Sequence, residues 1–133
     1  MGILVDTSVL IAAERGQVDL RQPLWLRPGA EFRISAITAS ELLHGIHRAT
    51  DPAIREFRLQ FVNHILDHVQ IVPIEIDVAR VHAKLWADLR RQGGLIDAHD
   101  LWIAATCLHH NLRLLTANRK HFDRIPQLIL EEG

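Results

Sequence analysis

The stretch that decides the fold is IDAHDLWIAATCLHHN, from Ile96 to Asn111. Two acids, Asp97 and Asp100, open this stretch three residues apart, and an almost uninterrupted apolar run follows them. Residues three apart share one face of a helix, so both carboxylates can point out of the N-terminal end of a buried helix. Carboxylates in a first turn commonly only cap the helix and face its positive dipole end. The stretch therefore predicts a core helix with a charged tip, whose acids are caps, site residues or both.

The amino terminus supplies a third acid. The residues from Ile3 to Asp6 form a short apolar run that ends in a carboxylate, and Thr7-Ser8 then offers caps for a helix. The chain is thus predicted to begin as strand, turn and helix, with Asp6 at the carboxyl end of the strand. In open α/β sheets that edge is where ligands bind.

The remaining segments alternate between strand and helix patterns. We predict a short helix or turn through Trp25, a strand at Phe32–Ser35, a helix carrying Glu41, a helix from Asp51-Pro52 to about His68, a strand at Gln70–Ile74, a helix from Asp77 to Arg91, a strand at Arg113–Thr116, a short helix capped by Asn118 and a last strand at Leu128–Leu130. Strands separated by helices predict an α/β fold with a mainly parallel sheet that is covered on both faces.

Length and composition narrow the class of protein. With 133 residues, 48% of them hydrophobic, the chain is expected to form one domain spanning residues 1–133. The net charge of −1 argues against a broadly basic nucleic-acid coat. The single cysteine, Cys107, favours a reducing compartment, and the first residues lack the pattern of a signal peptide or membrane span. We therefore expect a cytoplasmic protein with no membrane partner.

Four carboxylates stand at the ends of predicted elements: Asp6, Glu41, Asp97 and Asp100. An oxygen-only cluster without usable Cys or His spacing suits Mg²⁺ or Mn²⁺ rather than Zn²⁺. Such ions orient a water and stabilise the charge that develops on a phosphodiester. An aspartyl-phosphate site fits less well because Ser8 stands two residues after Asp6, and no glycine-rich phosphate loop follows the first strand. A Ser/His/Asp triad stays open, although no G-x-S-x-G turn is present.

Four segments together resemble the PIN-domain proteins of the VapC toxin type. They are VDTSVLIA at 5–12, TASELLHGI at 38–46, DAHDLWIAAT at 97–106 and LLTANRKHFDRIP at 114–126. The resemblance covers essentially the whole chain. It implies a Rossmann-like, three-layer α/β/α fold with a short central sheet. It also implies a magnesium-dependent endoribonuclease that cuts RNA and is inhibited by a cognate VapB-type antitoxin.

The same resemblance assigns roles to individual residues. Asp6, Glu41 and Asp100 match the first three acids of the family, and they are expected to bind the metal and position the attacking water. Asp97 stands where such proteins often have a small residue, so it is either an auxiliary ligand or only a cap. The family usually has a fourth carboxylate in the TANRKHF segment, where this sequence has Asn118 and His121 instead.

Supporting and substrate-binding residues are also expected near the acids. Thr7 and Asn118 would form hydrogen bonds near the metal or, alternatively, cap helices, and His121 would either stand beside the metal site or face solvent. Basic residues flanking the acids are candidates for contacts with the RNA backbone: Arg15, Arg113, Arg119 and Lys120.

Two other functions remain open at this stage. The missing fourth acid is compatible with a non-catalytic module that binds RNA or a protein partner, and the same metal site could attack structured DNA. A homodimer is expected, because the chain offers more apolar surface than a small sheet needs and the resemblance implies dimers; the alternative is that the same residues are core. The residues that suggest it are Trp25, Phe57, Phe61, Ile65, Leu85 and Trp86.

Overall fold

A four-stranded sheet, parallel throughout, organises the computed structural model, which describes residues 2–16, 31–94 and 96–131. The strands are β1 (Ile3–Val5), β2 (Phe32–Ser35), β3 (Gln70–Val72) and β4 (Arg113–Leu115), and their order across the sheet is β3-β2-β1-β4. The expectation of a short parallel sheet is confirmed. Because β1 is an inner strand, its carboxyl end has a neighbouring strand end on each side.

In the described residues, helices connect the strands along the chain, and a short helix follows β4. They are α1 (Thr7–Glu14), α2 (Ala36–Arg48), α3 (Pro52–His68), α4 (Ile76–Arg91), α5 (Ala98–His110) and α6 (Arg119–Phe122). Asp51 accepts a hydrogen bond from the backbone N–H of Ala53 at 2.8 Å, so the Asp-Pro start expected for α3 is confirmed. Within these residues, no helix has both the length and the apolar character that a bilayer crossing needs.

The core lies on both faces of the sheet because side chains alternate along a strand. Ile3 and Val5 of β1 belong to one buried cluster, whereas Leu4 belongs to the other. The first cluster is completed by α1, α2 and α3, and the second contains residues of α4, α5 and α6. The three-layer α/β/α arrangement is therefore present as expected.

Three predicted elements differ in the structure or lie outside the described residues. β3 ends at Val72 rather than Ile74, because Pro73 has no N–H to donate to the sheet, and β3 is an edge strand. The last predicted strand is reduced to one parallel bridge between Leu114 and Leu130. The helix or turn expected through Trp25 lies outside the described residues.

The helix α5 forms as its sequence predicts. Asn111 ends it in the left-handed region at φ 54°, and its N–H donates to the Cys107 carbonyl. His109 and His110 are exposed in the last turn, which agrees with a surface role. Cys107 is buried, and this burial, followed by the charge of Asp6, raises the pKa of its thiol. Cys107 therefore acts as a small apolar core residue.

Candidate active site

Asp6 stands at the carboxyl end of β1, where the sheet places it almost completely out of solvent. Its side chain is 3% exposed, and its Oδ2 accepts hydrogen bonds from Ser8 Oγ and Thr116 Oγ1, both at 2.7 Å. Thr116 follows β4, which is the parallel neighbour of β1, so its hydroxyl meets Asp6 at the same edge. The two hydroxyls fix the orientation of the carboxylate. Its other oxygen, Oδ1, accepts no hydrogen bond from any described residue.

Glu41 lies on α2, which follows β2. It reaches the same edge of the sheet from the side of β1 that is opposite to β4. Its Oε1 accepts a hydrogen bond from Thr7 Oγ1 at 2.8 Å, and its Oε2 lies 3.4 Å from His99 Nδ1. Thr7 Oγ1 is also 3.0 Å from Thr38 Oγ1 on α2. Thr7 occupies the first turn of α1 but is not its N-cap, because that position belongs to Asp6. The expected capping role of Thr7 is therefore wrong, and its hydroxyl orients Glu41 instead.

Asp100 faces Asp6 from the first turn of α5. Burial raises the pKa of the Asp100 carboxyl, and the nearby charge of Asp6 raises it further. The hydrogen bond with His121 acts in the opposite direction, since His121 Nδ1 lies 3.1 Å from Asp100 Oδ2. His121, although more than half exposed, thus contacts a site acid rather than only solvent.

Asp97 is the N-cap of α5. Its Oδ1 accepts hydrogen bonds from the backbone N–H groups of His99 at 2.9 Å and Asp100 at 3.4 Å. The side chain is exposed, and its charge makes a smaller contribution to the raised pKa of Asp100. The capping role predicted from the sequence is confirmed.

We expect Asp97→Ser to leave the free energy of unfolding close to that of the native protein, because Ser is a comparable cap. Asp97→Ala should lower the free energy of unfolding by about 1 kcal/mol, since the two N–H groups then lose their acceptor. Chemical denaturation of the three proteins measures this difference. Equal stability of Asp97→Ala and the native protein would contradict the capping role.

The donor chemistry of the site fits a hard divalent cation. Asp6, Glu41 and Asp100 come from three separate elements and offer carboxylate oxygens, which Mg²⁺ and Mn²⁺ prefer. The pKa of Asp100 is raised first by burial and then by the charges of Asp6 and Asp97, and a bound cation would offset both effects. No three His, Cys, Asp or Glu side chains in the described ranges form a ready-made ligand group. Glu41 and Asp100 are instead engaged by histidines.

Asn118 is linked to the acids through its backbone. Its N–H donates to Thr116 Oγ1 at 2.9 Å, and that hydroxyl donates in turn to Asp6. Asn118 occupies the N-cap position of α6 as predicted, but its side chain makes no capping hydrogen bond there. Its predicted place beside the acids is retained through Thr116.

Four polar residues of the site were missed by the sequence analysis: Ser8, Thr38, His99 and Thr116. Ser8 and Thr116 bind Asp6, whereas Thr38 and His99 lie around Thr7 and Glu41. Thr116 ends a strand pattern just as Asp6 does, and this was the available signal. It could not be used without knowing that β1 and β4 are neighbours.

A cavity of about 260 Å³ opens beside Glu41 and contains Arg15, one of the predicted contacts with the RNA backbone. Arg48 and His44, which the sequence analysis did not select, line the same cavity, as does His99. Arg15 and Arg48 form no ion pair with another described residue. Their charges are therefore available to an anionic ligand that approaches the acids.

The other basic candidates are distributed differently. Arg113 is paired with Ile3 in the sheet, so it lies at the end of β1 opposite to Asp6, and its Nη1 is 2.7 Å from Glu131 Oε2. The prediction for Arg113 is wrong because the β4 register places it away from the acids. Arg119 donates to the Glu131 carbonyl at 3.1 Å, whereas Lys120 lines a cavity with Asp97 and His121.

Comparison with known proteins identifies the family. The PIN domain matches residues 3–128 of this chain. The chain is 38% identical over 128 residues to the ribonuclease VapC of Rickettsia bellii, covering 96% of this chain and 93% of that protein. It is 34% identical over 129 residues to the ribonuclease VapC1 of Methanocaldococcus jannaschii, covering 97% and 85% of the two chains. The chain therefore belongs to the PIN-domain family and groups with the VapC ribonucleases.

Solved structures agree with this assignment. The VapBC2 complex of Rickettsia felis, bound to a DNA fragment from its promoter, contains a chain that superimposes with a TM-score of 0.87 at 26% identity, covering 98% of both chains. VapBC-5 of Mycobacterium tuberculosis, from a family of toxin–antitoxin systems, gives a TM-score of 0.76 at 30% identity over 98% of both chains. The resemblance noted in the four sequence segments is confirmed at the level of family and fold.

Proposed function

We propose that this chain is a divalent-metal-dependent endoribonuclease and the toxin of a toxin–antitoxin pair. The observation that carries the proposal is the convergence of Asp6, Glu41 and Asp100 at the carboxyl edge of β1 in a chain that groups with VapC ribonucleases. We further propose that it acts as one domain in the cytoplasm, where the buried Cys107 would remain a thiol.

The three carboxylates would hold Mg²⁺, or Mn²⁺ in its place. When bound, such an ion supplies a Lewis acid and a water of increased acidity to a phosphodiester. The protein contributes the orientation of the ligands: Ser8 and Thr116 fix Asp6, and Thr7 holds Glu41. Partners that orient ligands in this way typically change metal affinity or activity by about 10- to 100-fold when removed.

The protein partner that we propose is a VapB-type antitoxin, supported by the solved VapBC complexes whose toxin chains share this fold. Free toxin would cut RNA, and the antitoxin complex would not. Adding a purified cognate antitoxin to a cleavage reaction tests the assignment, and undiminished cleavage by a stable complex of the two proteins would contradict it.

The proposed activity can be tested by incubating the purified protein with total RNA in Mg²⁺ or in EDTA and mapping the ends of the fragments. We expect discrete cleavage sites in Mg²⁺ that are absent in EDTA. A single-stranded DNA and a structured DNA of matching sequence show whether cleavage depends on the ribose sugar of the substrate. Cleavage of structured DNA alone would replace the proposal with a DNA nuclease.

A non-catalytic binding module is the second candidate, and the ligand set is the observation that favours it. The described residues hold no ready-made group of three metal ligands, and His121 stands beside Asp100 where the resemblance leads us to look for a fourth acid. RNA binding without cleavage in either Mg²⁺ or Mn²⁺ would support this alternative. Metal-dependent cleavage by homogeneous protein would exclude it.

We expect Arg15→Ala and Arg48→Ala to weaken RNA binding, because each removes a positive charge from the cavity beside Glu41. For single strands, each lost phosphate contact should reduce the slope of log affinity against log salt by about 0.7. Arg80→Ala on α4 removes the same charge outside this cavity and is the control. An unchanged slope in both cavity variants would show that Arg15 and Arg48 do not contact the RNA backbone.

We still propose a homodimer, but the residues that form its interface differ from those expected from the sequence. Ile65 and Leu85, which the sequence analysis assigned to exposed apolar surface, are core residues at 1% and 7% exposure. Phe57 and Ile54 on α3 are about half exposed, and Phe57 stacks on Phe61 with centroids 6.4 Å apart. We expect light scattering to give the mass of a dimer and Phe57→Ser to lower it. A native mass equal to one chain at every concentration would contradict the dimer.

A further inference from the structure

An aromatic cavity of about 460 Å³ lies between α4 and α5, next to the candidate active site but outside it. Three rings line it. His82 stacks on Trp102 with centroids 3.6 Å apart and planes 12° from parallel. Trp86 is one helical turn beyond His82, with its centroid 5.8 Å from the His82 ring and its plane tilted by 58°. We call these three residues and the space they enclose the aromatic cavity.

The cavity leaves a large flat apolar surface in contact with water. Trp86 is 52% exposed, although Trp side chains have much apolar area to bury. Below it, Leu89 and Leu101 form an apolar floor, and both are buried. The stacked pair of His82 and Trp102 forms one wall, and burial lowers the pKa of His82, so that wall is uncharged at neutral pH. A volume of this size falls within the range of about 300–1,000 Å³ of small-ligand sites.

A cation stands at the rim of the aromatic cavity. Arg90 lines the cavity, is exposed, and forms no ion pair with any residue in the described part of the chain. A guanidinium beside an aromatic surface can stack on a base or bind a phosphate oxygen. An aliphatic ligand would not interact with the Arg90 charge, whereas a nucleotide offers both a flat ring and an anion.

The aromatic cavity is joined to the acids by the start of α5. Ile96 lines it and also lines the neighbouring cavity of about 320 Å³ that contains Asp97, Lys120 and His121. His121 in turn contacts Asp100. A nucleic-acid strand whose backbone meets the acids can therefore continue past Lys120 and reach Trp86 around the first turn of α5.

We propose that the aromatic cavity binds one unpaired base of a single-stranded RNA, beside the phosphodiester that the acids address. This inference rests on the proposed function for the identity of its ligand. Proteins that bind single strands combine a basic path for the backbone with aromatic rings on which bases stack, and base stacking tolerates sequence changes. The cavity would thus select for an unpaired base, because a base within a duplex is already stacked on its neighbours.

The first test measures binding without cleavage. A fluorescently labelled single-stranded RNA is titrated in EDTA with the native protein, Trp86→Gln and Trp86→Phe, and the dissociation constants are read from anisotropy. We expect Trp86→Gln to weaken binding by about 5- to 150-fold, the usual range for one base stacked on an aromatic ring. Trp86→Phe, which retains a flat ring, should recover most of the affinity. Ile129→Gln is the matched control, since Ile129 is equally exposed and lines neither the aromatic cavity nor its neighbour.

The second test identifies the stacked base by a double-mutant cycle. Each base of the RNA is replaced in turn by an abasic nucleotide, and the loss of affinity is measured with the native protein and with Trp86→Gln. At one position the combined loss of affinity should be smaller than the sum of the two separate losses, because removing the base and removing the ring eliminate the same contact. Strictly additive losses at every position, or equal affinity of native protein and Trp86→Gln, would overturn the proposal. A drop in oligomer mass with unchanged RNA affinity would also overturn it and would assign the surface to a second copy of the chain.

The endoribonuclease proposal and the base-site proposal can be contradicted independently of each other. If the native protein cuts RNA but the cycle finds no coupled base, the endoribonuclease assignment stands and the base site is excluded. If the cycle finds a coupled base but no metal supports cleavage, the base site stands in a binding module. Thermal unfolding of Trp86→Gln checks the fold, and Trp86→Phe supplies the same comparison with a smaller change at this exposed helix position.

Discussion

Asp6→Asn is expected to lower RNA cleavage by more than about a hundredfold while the protein remains folded. Partners that only orient metal ligands cost about 10- to 100-fold when lost, so a ligand itself should cost more. The fold should persist because the Asn amide has the same shape, and its oxygen can still accept from Ser8 and Thr116.

The comparison needs a matched control and a check of structure. Asp123→Asn removes the same charge at the end of α6, outside the acid cluster, and should leave cleavage unchanged. Circular dichroism and thermal unfolding should show a native fold for both variants. Native cleavage rates in a folded Asp6→Asn protein would remove Asp6 from the chemistry.

Asp100→Asn is expected to abolish cleavage and, in EDTA, to make the protein more stable than the native one at neutral pH. Burial and the Asp6 charge raise the pKa of the Asp100 carboxyl above its ordinary value of 3.8. The folded state therefore holds this proton more tightly than the unfolded state does. Stability accordingly falls as pH rises from that ordinary value through the raised folded value, and the loss persists at neutral pH. Asn carries no charge, so the Asp100→Asn protein avoids this loss of stability.

Denaturation of both proteins in EDTA at several pH values measures this difference. The stability advantage of Asp100→Asn should grow as pH rises through the window and then level off. Adding Mg²⁺ should stabilise the native protein more than the variant, because a ligand that binds only the folded state shifts unfolding by mass action. An Asp100→Asn protein that is less stable than the native one in EDTA at neutral pH would contradict the expected crowding of charge.

Much of this site can be predicted from local sequence. Asp97 and Asn111 bracket α5 because capping and left-handed termination depend only on neighbouring residues. Asp6 falls at a strand end that the apolar run already marks. These features are determined by short-range chemistry, so the sequence carries them directly.

The rest of the site depends on which strands are neighbours. Thr116 meets Asp6 only because β4 pairs with β1, and the same register carries Arg113 to the opposite edge. His99 meets Glu41 only because α5 and α2 approach each other in space. Trp86 could be predicted only as apolar surface, and the cavity that it lines forms because Trp102 and His82 lie beside it in the folded chain. Such long-range contacts leave no periodic signal in the sequence.

The proposed metal site is tested most directly by the binding of Mn²⁺, which is monitored through the loss of its solution electron paramagnetic resonance signal. The native protein and Asp123→Asn should remove Mn²⁺ from solution to the same extent, and added Mg²⁺ should compete. Asp6→Asn and Asp100→Asn should bind markedly less, because each lacks one of the carboxylates at the edge of β1. Equal binding by the native protein and both site variants would contradict a metal centre built on Asp6 and Asp100.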